Sequence, residues 1–225
     1  DVQDLAEIPR GLLRITAPVA FSRQQLVARL PEFMRRHPQI RIELDMNDSL
    51  MSLASEGFDL ALRHVETPPD TYVARAVCRT RTLLLASPAY LSTHGAPTHP
   101  SELVDHQQLH YPRQQGTATW AFEPAGSDSD AQRVTVPLRP RFVANNSEVL
   151  RDMACAGEGV AMLPDFSAQR AVQTGELVEI LPQWRAAGVF GRNIFALRPY
   201  SARVPRTVRV LQDYLLQAFS GGFQV

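Results

Sequence analysis

The sequence predicts an α/β fold of two Rossmann-like lobes, and the spacing of its apolar residues is the main reason. Residues 11–63 begin and end with short apolar runs, which enclose an amphipathic segment at 22–36 and an alternating segment at Ile40–Met46. Strand, helix and strand in this order predict a parallel pair joined by a crossover helix. Further strand and helix patterns at 87–190 predict a second lobe.

The order of these segments also predicts how the lobes are connected. Residues 1–86 would form most of the first lobe, and residues 191–225 would return to it with a strand and a final helix. Residues 87–190 would then be an inserted second lobe. The chain would cross between the lobes twice, near 86–87 and near 191–192. Two crossings make a two-strand hinge, and hinged lobes close around ligands.

Composition narrows the class of protein. The 225 residues suffice for one large or two small domains, and a hydrophobic content of 44% is typical of a globular protein. The 23 basic and 23 acidic residues give a net charge of zero, which argues against a surface for nucleic acid or anionic lipid. We expect no membrane span and no signal peptide, so the sequence predicts a cytoplasmic location.

Motifs for catalysis and for metal binding are missing from the sequence. It contains no G-x-S-x-G, H-E-x-x-H, C-x-x-C or P-loop pattern, and its six histidines are scattered. Gly157 and Gly159 form a G-x-G pair without the third glycine of a dinucleotide site. Cys78 and Cys155 lie far apart and are expected to be reduced thiols. We therefore expect no enzyme, no metal and no cofactor.

Two predicted helix starts form the candidate ligand site. One follows the first strand at 16–22, where open α/β sheets bind ligands, and the other lies at 145–147. Helix starts present unpaired backbone N–H groups and a partial positive charge, which favour an anion. The candidate residues at these two places are Thr16, Ala17, Pro18, Phe21, Ser22, Asn145, Asn146 and Ser147.

Each of these assignments has a structural alternative. Serine, threonine and asparagine before a helix are most often plain caps. Arg63 and His64 end the predicted strand that begins at Phe58. They would lie at the same edge of the sheet, where they could contact a ligand. They could equally form surface ion pairs with Glu66 or Asp70.

Four segments in sequence order resemble one known family. The sequence is similar to the effector-binding domain of LysR-type transcriptional regulators across nearly its whole length. The segments are GLLRIT at 11–16 with LPEF at 30–33 and HP at 37–38, GFDLALR at 57–63, ASPAYL at 86–91 with HG at 94–95 and PSEL at 100–103, and NNS at 145–147 with AGEGVAMLP at 156–164.

This resemblance implies a type 2 periplasmic-binding-protein-like fold and a ligand-sensing role. A small organic effector, expected to be anionic, would bind between the lobes, with the residues of both helix starts lining its site. The family's N-terminal winged helix-turn-helix domain is expected to be absent from these residues, so DNA binding would belong to that part of the parent protein.

The resemblance also implies self-association. The family forms side-by-side antiparallel dimers of this domain, which here would place residues 21–46 of one copy against residues 147–157 of the other. We expect a homodimer, or a tetramer in the full-length protein.

Two other functions compete with this interpretation. The solute-binding protein of a transporter shares the two-lobe plan but needs a secretion signal. An enzyme on a similar scaffold needs a nucleophile or an acid–base pair in the cleft.

Overall fold

The computed structural model describes residues 8–48, 57–112, 118–126 and 133–225. Asp48 and Ser49 predict the N-cap of a short helix that ends near Ser55, but that segment lies largely outside these residues. The strands are β1 Gly11–Ala17, β2 Ile40–Met46, β3 Leu60–Val65, β4 Val73–Arg79, β5 Thr82–Ala86, β6 Gln108–His110, β7 Thr119–Pro124, β8 Val134–Pro137, β9 Phe142–Val143, β10 Val160–Pro164, β11 Val178–Glu179, β12 Trp184–Ala187 and β13 Asn193–Arg198. The α-helices are α1 Val19–Phe21, α2 Val27–Arg36, α3 Pro88–His94, α4 Ser147–Cys155, α5 Asp165–Gln173 and α6 Arg206–Ala218, with a π-helical turn at Ser22–Leu26 and a 3-10 helix at Pro100–Asp105. None of the helices in these ranges is long and apolar enough to cross a membrane.

The chain divides into two compact units. The first comprises Asp1–Arg79 and Arg192–Gly222, and the second comprises Thr80–Gly191 and Phe223–Val225. The chain therefore passes between the units at 79–80, at 191–192 and a third time at 222–223. The third passage, close to the last residue of the sequence, was not predicted.

The first unit is built on one mixed sheet with the strand order β2-β1-β3-β13-β4. β1 runs parallel to both β2 and β3, and β13 runs antiparallel to β3 and β4. The parallel pairing of β1 with β2 across the crossover helix confirms the strand–helix–strand prediction. It also brings the carboxyl ends of β1, β2 and β3 to one edge of the sheet.

The crossover helix differs in detail from the predicted one. It begins at Val19 and passes through the π-helical turn before α2, which continues through Pro31. π-helical turns occur where the regular hydrogen-bond ladder is interrupted. Leu30 and Phe33 are buried as the helical period predicts, but Met34 is 47% exposed and does not belong to the core stripe.

Residues 57–59, the GFD part of the GFDLALR segment, are held against β1 by hydrogen bonds with Arg14. The Arg14 backbone N–H donates to Asp59 Oδ2 at 2.8 Å, and the Asp59 N–H donates to the Arg14 carbonyl at 2.8 Å. The Arg14 guanidinium donates to the Gly57 carbonyl and to Glu43 of β2. Gly57 has a φ of +70°, a left-handed conformation that favours glycine, and a Cβ there would lie 2.9 Å from Arg14 Nη1, so the end of the arginine side chain would have to shift.

The second unit contains two sheets, with the orders β11-β5-β10-β6-β9 and β12-β7-β8. β5 pairs antiparallel with β10 and β11, so Thr82–Ala86 belongs to this unit and the predicted boundary at 86 is wrong. Leu84 packs in a core with Trp120 and Phe122 of the smaller sheet, whereas Leu83 and Leu85 pack in a core beneath α4 and α5. A strand buried on both faces explains the continuous apolar run.

Two strands were not predicted from the sequence. β4 is an edge strand in which Ala74, Arg75 and Ala76 are exposed, so its sequence lacks the alternation that indicates a half-buried strand. β12 contains only four residues, two of them alanines. Both strands depend on pairing with distant partners rather than on local pattern.

Candidate functional site

Thr16 lies at the carboxyl end of β1 and joins three neighbouring strands. Its side chain is fully buried. Thr16 Oγ1 accepts a hydrogen bond from Arg63 Nη2 on β3 at 3.1 Å and donates to Asp45 Oδ2 on β2 at 3.2 Å. Thr16 therefore does not act as a helix cap, the structural alternative considered for it, because its hydroxyl is engaged by side chains of the sheet.

Arg63 and His64 are inside β3, which continues to Val65, rather than at its end. Their exposed fractions are 5% and 6%. A surface ion pair with Glu66 or Asp70, the alternative that the sequence left open, is therefore wrong for both. Glu66 instead pairs with Arg192 at 3.3 Å. Arg63 Nη1 donates to the Leu62 carbonyl at 2.8 Å, which helps to orient the guanidinium toward Thr16.

The remaining candidates of the first unit lie at the end of β1 and in the helical turns that follow it. Ala17 and Pro18 are buried, and Pro18 precedes α1 with its carbonyl accepting the Ser22 N–H at 2.8 Å. The Phe21 ring is fully buried and lies 5.2 Å from the ring of Phe219, so it contributes to the core of this unit. Ser22 Oγ is buried and has no hydrogen-bond partner among the described residues.

The candidates of the second unit surround the start of α4. Asn145 is exposed, and Asn146 is the N-cap, with its Oδ1 accepting the N–H groups of Glu148 at 2.9 Å and Val149 at 3.1 Å. Ser147 is buried and donates to Ser167 Oγ on α5 at 3.0 Å. The capping role is thus present at Asn146, and the backbone N–H groups it engages are the ones that an anion would otherwise use.

Two carboxylates near the candidate residues were not among the predicted site residues. Asp45 is a polar position of the predicted alternating strand, and in β2 its register partner on β1 is Thr16. Asp165 begins α5 and is only 2% exposed; Oδ2 accepts the Arg81 N–H and Oδ1 accepts the Phe166 N–H, both at 2.8 Å. Burial raises the pKa of Asp165 to about 6. The LPD sequence at 163–165 is a signal for a helix start that could have identified it.

The described residues contain no cluster of metal ligands. Among them, histidine, cysteine, aspartate and glutamate form no group of three or more that could hold a metal ion. The two cysteines are free thiols, with Cys78 buried and Cys155 partly buried. The candidate residues supply hydrogen bonding and charge through the buried Arg63 guanidinium and several hydroxyl and amide groups.

A protein-family model, the LysR substrate binding domain, matches residues 6–220. The chain belongs to the LysR substrate-binding domain family. The match covers both units, and it confirms the family and the α/β fold class predicted from the four segments. Curated relatives of this LysR domain are named HTH-type transcriptional regulators.

Individual relatives agree with this assignment. The LysR domain is 36% identical over 184 residues to an uncharacterized HTH-type transcriptional regulator of Haemophilus influenzae, covering 82% of this chain and 62% of that protein. It is 32% identical over 216 residues to the HTH-type transcriptional regulator PtxR of Pseudomonas aeruginosa, covering 96% of this chain and 66% of that protein. The chain thus spans slightly less than two thirds of these relatives.

Solved structures show the same relationship. CrgA, a LysR-type transcriptional regulator from Neisseria meningitidis, superposes with a TM-score of 0.82 at 28% identity, covering 96% of this chain and 71% of CrgA. PtxR and CrgA are both named transcriptional regulators, and the transporter solute-binding alternative receives no support from them.

Proposed function

We propose that this LysR domain senses a small organic effector that carries an anionic group, and that it performs no catalysis. The effector would contact the carboxyl end of β1 and β3 in the first unit and the start of α4 in the second. The proposed contact residues are Thr16, Ala17, Pro18, Phe21, Ser22, Arg63, His64, Asn145, Asn146 and Ser147. In the parent protein, DNA would be bound by an N-terminal winged helix-turn-helix domain, in the cytoplasm.

The observation that carries this proposal is the buried guanidinium of Arg63 next to the Thr16 hydroxyl. The Arg63 guanidinium reaches the Thr16 hydroxyl at the carboxyl end of β1, where open α/β sheets bind ligands. A guanidinium has a planar fork of donors that fits a carboxylate. The buried Ser22 hydroxyl, which has no partner among the described residues, is a further group able to bond a ligand.

Effector binding can be tested without knowing the effector in advance. A ligand that binds only the folded domain raises its melting temperature, so a thermal-shift screen of carboxylate metabolites should return a hit. Calorimetry with that hit should show binding weakened about tenfold or more by Thr16→Ala and by Asn146→Ala, the factor for one lost hydrogen bond to a charged group.

The matched control is Thr93→Ala, which removes an exposed hydroxyl that bonds only within α3. It should bind the hit as the unmodified domain does. Asn146→Ala should also lower the free energy of unfolding by about 1 kcal/mol, because it removes an N-cap. Wild-type affinity in both site variants would show that the contact residues are assigned wrongly.

We further propose that the domain forms a homodimer, or a tetramer in the full-length protein, through residues 21–46 of one copy and 147–157 of the other. β2 is an edge strand of its sheet. Val27 and Met34 of α2 are 48% and 47% exposed, and Val149 of α4 is 43% exposed. Apolar side chains exposed on both surfaces would be covered by such pairing.

A charge introduced on this surface should separate the two copies. Val27→Glu and Met34→Glu should convert a dimer into a monomer in sedimentation velocity, because a desolvated carboxylate is costly at an apolar interface. Val104→Glu makes the same change at a 49% exposed valine of the 3-10 helix and should leave the dimer intact. A monomeric unmodified domain, or equal behaviour of all three variants, would contradict the proposed interface.

A further inference from the structure

The last three residues of the sequence are held by α5 of the second unit. The side-chain amides of Gln169 and Gln173, one helical turn apart on α5, both donate to the Gln224 carbonyl, at 3.0 and 2.8 Å. The ring of Phe223 is 8% exposed and meets the ring of Phe166 edge-on at 5.8 Å. Val225 packs against the core beneath α5.

This segment is separated from α6 by a turn that favours glycine. α6 ends at Ala218 in the first unit, and Gly221 and Gly222 precede Phe223. Gly222 has a φ of +63° and donates its N–H to the Phe219 carbonyl at 3.0 Å. Glycine adopts this left-handed conformation without the strain that other residues incur. The turn therefore allows the chain to leave the first unit directly after α6.

Contacts within each unit link the residues that flank the three passages of the chain between the units. A Cβ on Gly222 would lie 3.9 Å from the carbonyl oxygen of Arg79, the last residue before the first passage. On the other side of that passage, Thr80 Oγ1 donates to the carbonyl of Gly191, the last residue before the second, at 3.0 Å.

We propose that residues 223–225 act as a strap, a third connection that restrains bending at the other two. A passage of only two strands bends by rotation at a few backbone positions. A third connecting segment, anchored by two side-chain amides and a buried aromatic ring, must stretch or undock before the same rotation occurs. The strap thus sets how readily the two units move relative to each other, independently of which effector the domain binds.

Hydrogen–deuterium exchange measured by mass spectrometry tests the strap without any ligand. In Gln169→Ala/Gln173→Ala, amides at 220–225 should exchange about tenfold faster, the factor for losing two modest hydrogen bonds. Because the strap restrains the other passages, amides at 77–82 and 189–194 should also exchange several-fold faster. A variant that ends at Gly222 should show the same acceleration at 77–82 and 189–194.

The matched control is Gln183→Ala, which removes an exposed glutamine of the second unit whose side-chain amide also donates to a backbone carbonyl, that of Thr98. It should leave exchange at all three segments unchanged, and the thermal unfolding of each variant should stay cooperative. Faster exchange at 220–225 alone would overturn the proposal, since the segment would then be docked without restraining anything. Unchanged exchange in all three segments would overturn the docking itself.

Discussion

Gly159→Ala is expected to lower the free energy of unfolding by about 3 kcal/mol or more, or to prevent folding, because it combines backbone strain with overpacking. Gly159 lies immediately before β10 and has a φ of +151°. A Cβ there would lie 2.4 Å from the Gln107 carbonyl oxygen and 3.0 Å from the carbonyl carbon. That same oxygen accepts the Val160 N–H at 2.8 Å, the bond that starts the pairing of β10 with β6.

Gly175→Ala is the control for this effect. Gly175 also has a positive φ, +75°, but a Cβ there would meet nothing within 4 Å. Its replacement should cost only about 1–2 kcal/mol, the penalty of the left-handed conformation alone. Urea denaturation of both variants measures the difference. Equal stability of the two would show that the backbone around Gln107 yields, and that the close approach does not require glycine.

The second large effect concerns pH and Asp165. Burial raises the pKa of this carboxyl from 3.8 to about 6 in the folded domain. Between those values the unfolded chain has released the proton while the folded domain still holds it, so rising pH favours unfolding. The contribution amounts to about 3 kcal/mol, gained in full below pH ~4 and lost by pH ~6.

Asp165→Asn should remove this pH dependence. Free energies of unfolding from urea titrations at pH 4 and pH 7 would be compared between the variant and the unmodified domain, so that all other titrating groups cancel. The difference between the two proteins should change by about 3 kcal/mol over this range, in favour of the variant at pH 7. The variant loses one of the two backbone hydrogen bonds at every pH, because an amide has a single acceptor oxygen. If the difference in free energy of unfolding between the two proteins is the same at pH 4 and pH 7, Asp165 does not have a raised pKa.

Much of the fold could be predicted because local sequence patterns indicate its helices and strands. The alternation in β2 and the amphipathic helix before it predicted the parallel β1–β2 pair. Ser87 and Asn146 precede helices that they cap, as their residue types predicted. These features depend on residues within a few positions of one another, so the sequence displays them directly.

The candidate site was harder to predict, since its geometry depends on strand register. The bonds of Thr16 join residues 29 and 47 positions away in the chain. Arg63 looked like the exposed end of a strand, but in the folded protein only 5% of it is exposed. Met34 fits the apolar period of α2, yet no element of the described chain covers it to core depth.

By itself the sequence determined the LysR family, the two-part α/β plan and the positions of most helices and strands, because periodicity and capping act over short distances. Only the tertiary structure decided that β5 belongs to the second unit, that Arg63 and Asp45 share the Thr16 hydroxyl, and that the chain passes between the units a third time. Each of these features depends on which distant segments of the chain pair with one another. This pairing is determined by the burial and hydrogen bonding of the whole unit, which no local pattern encodes.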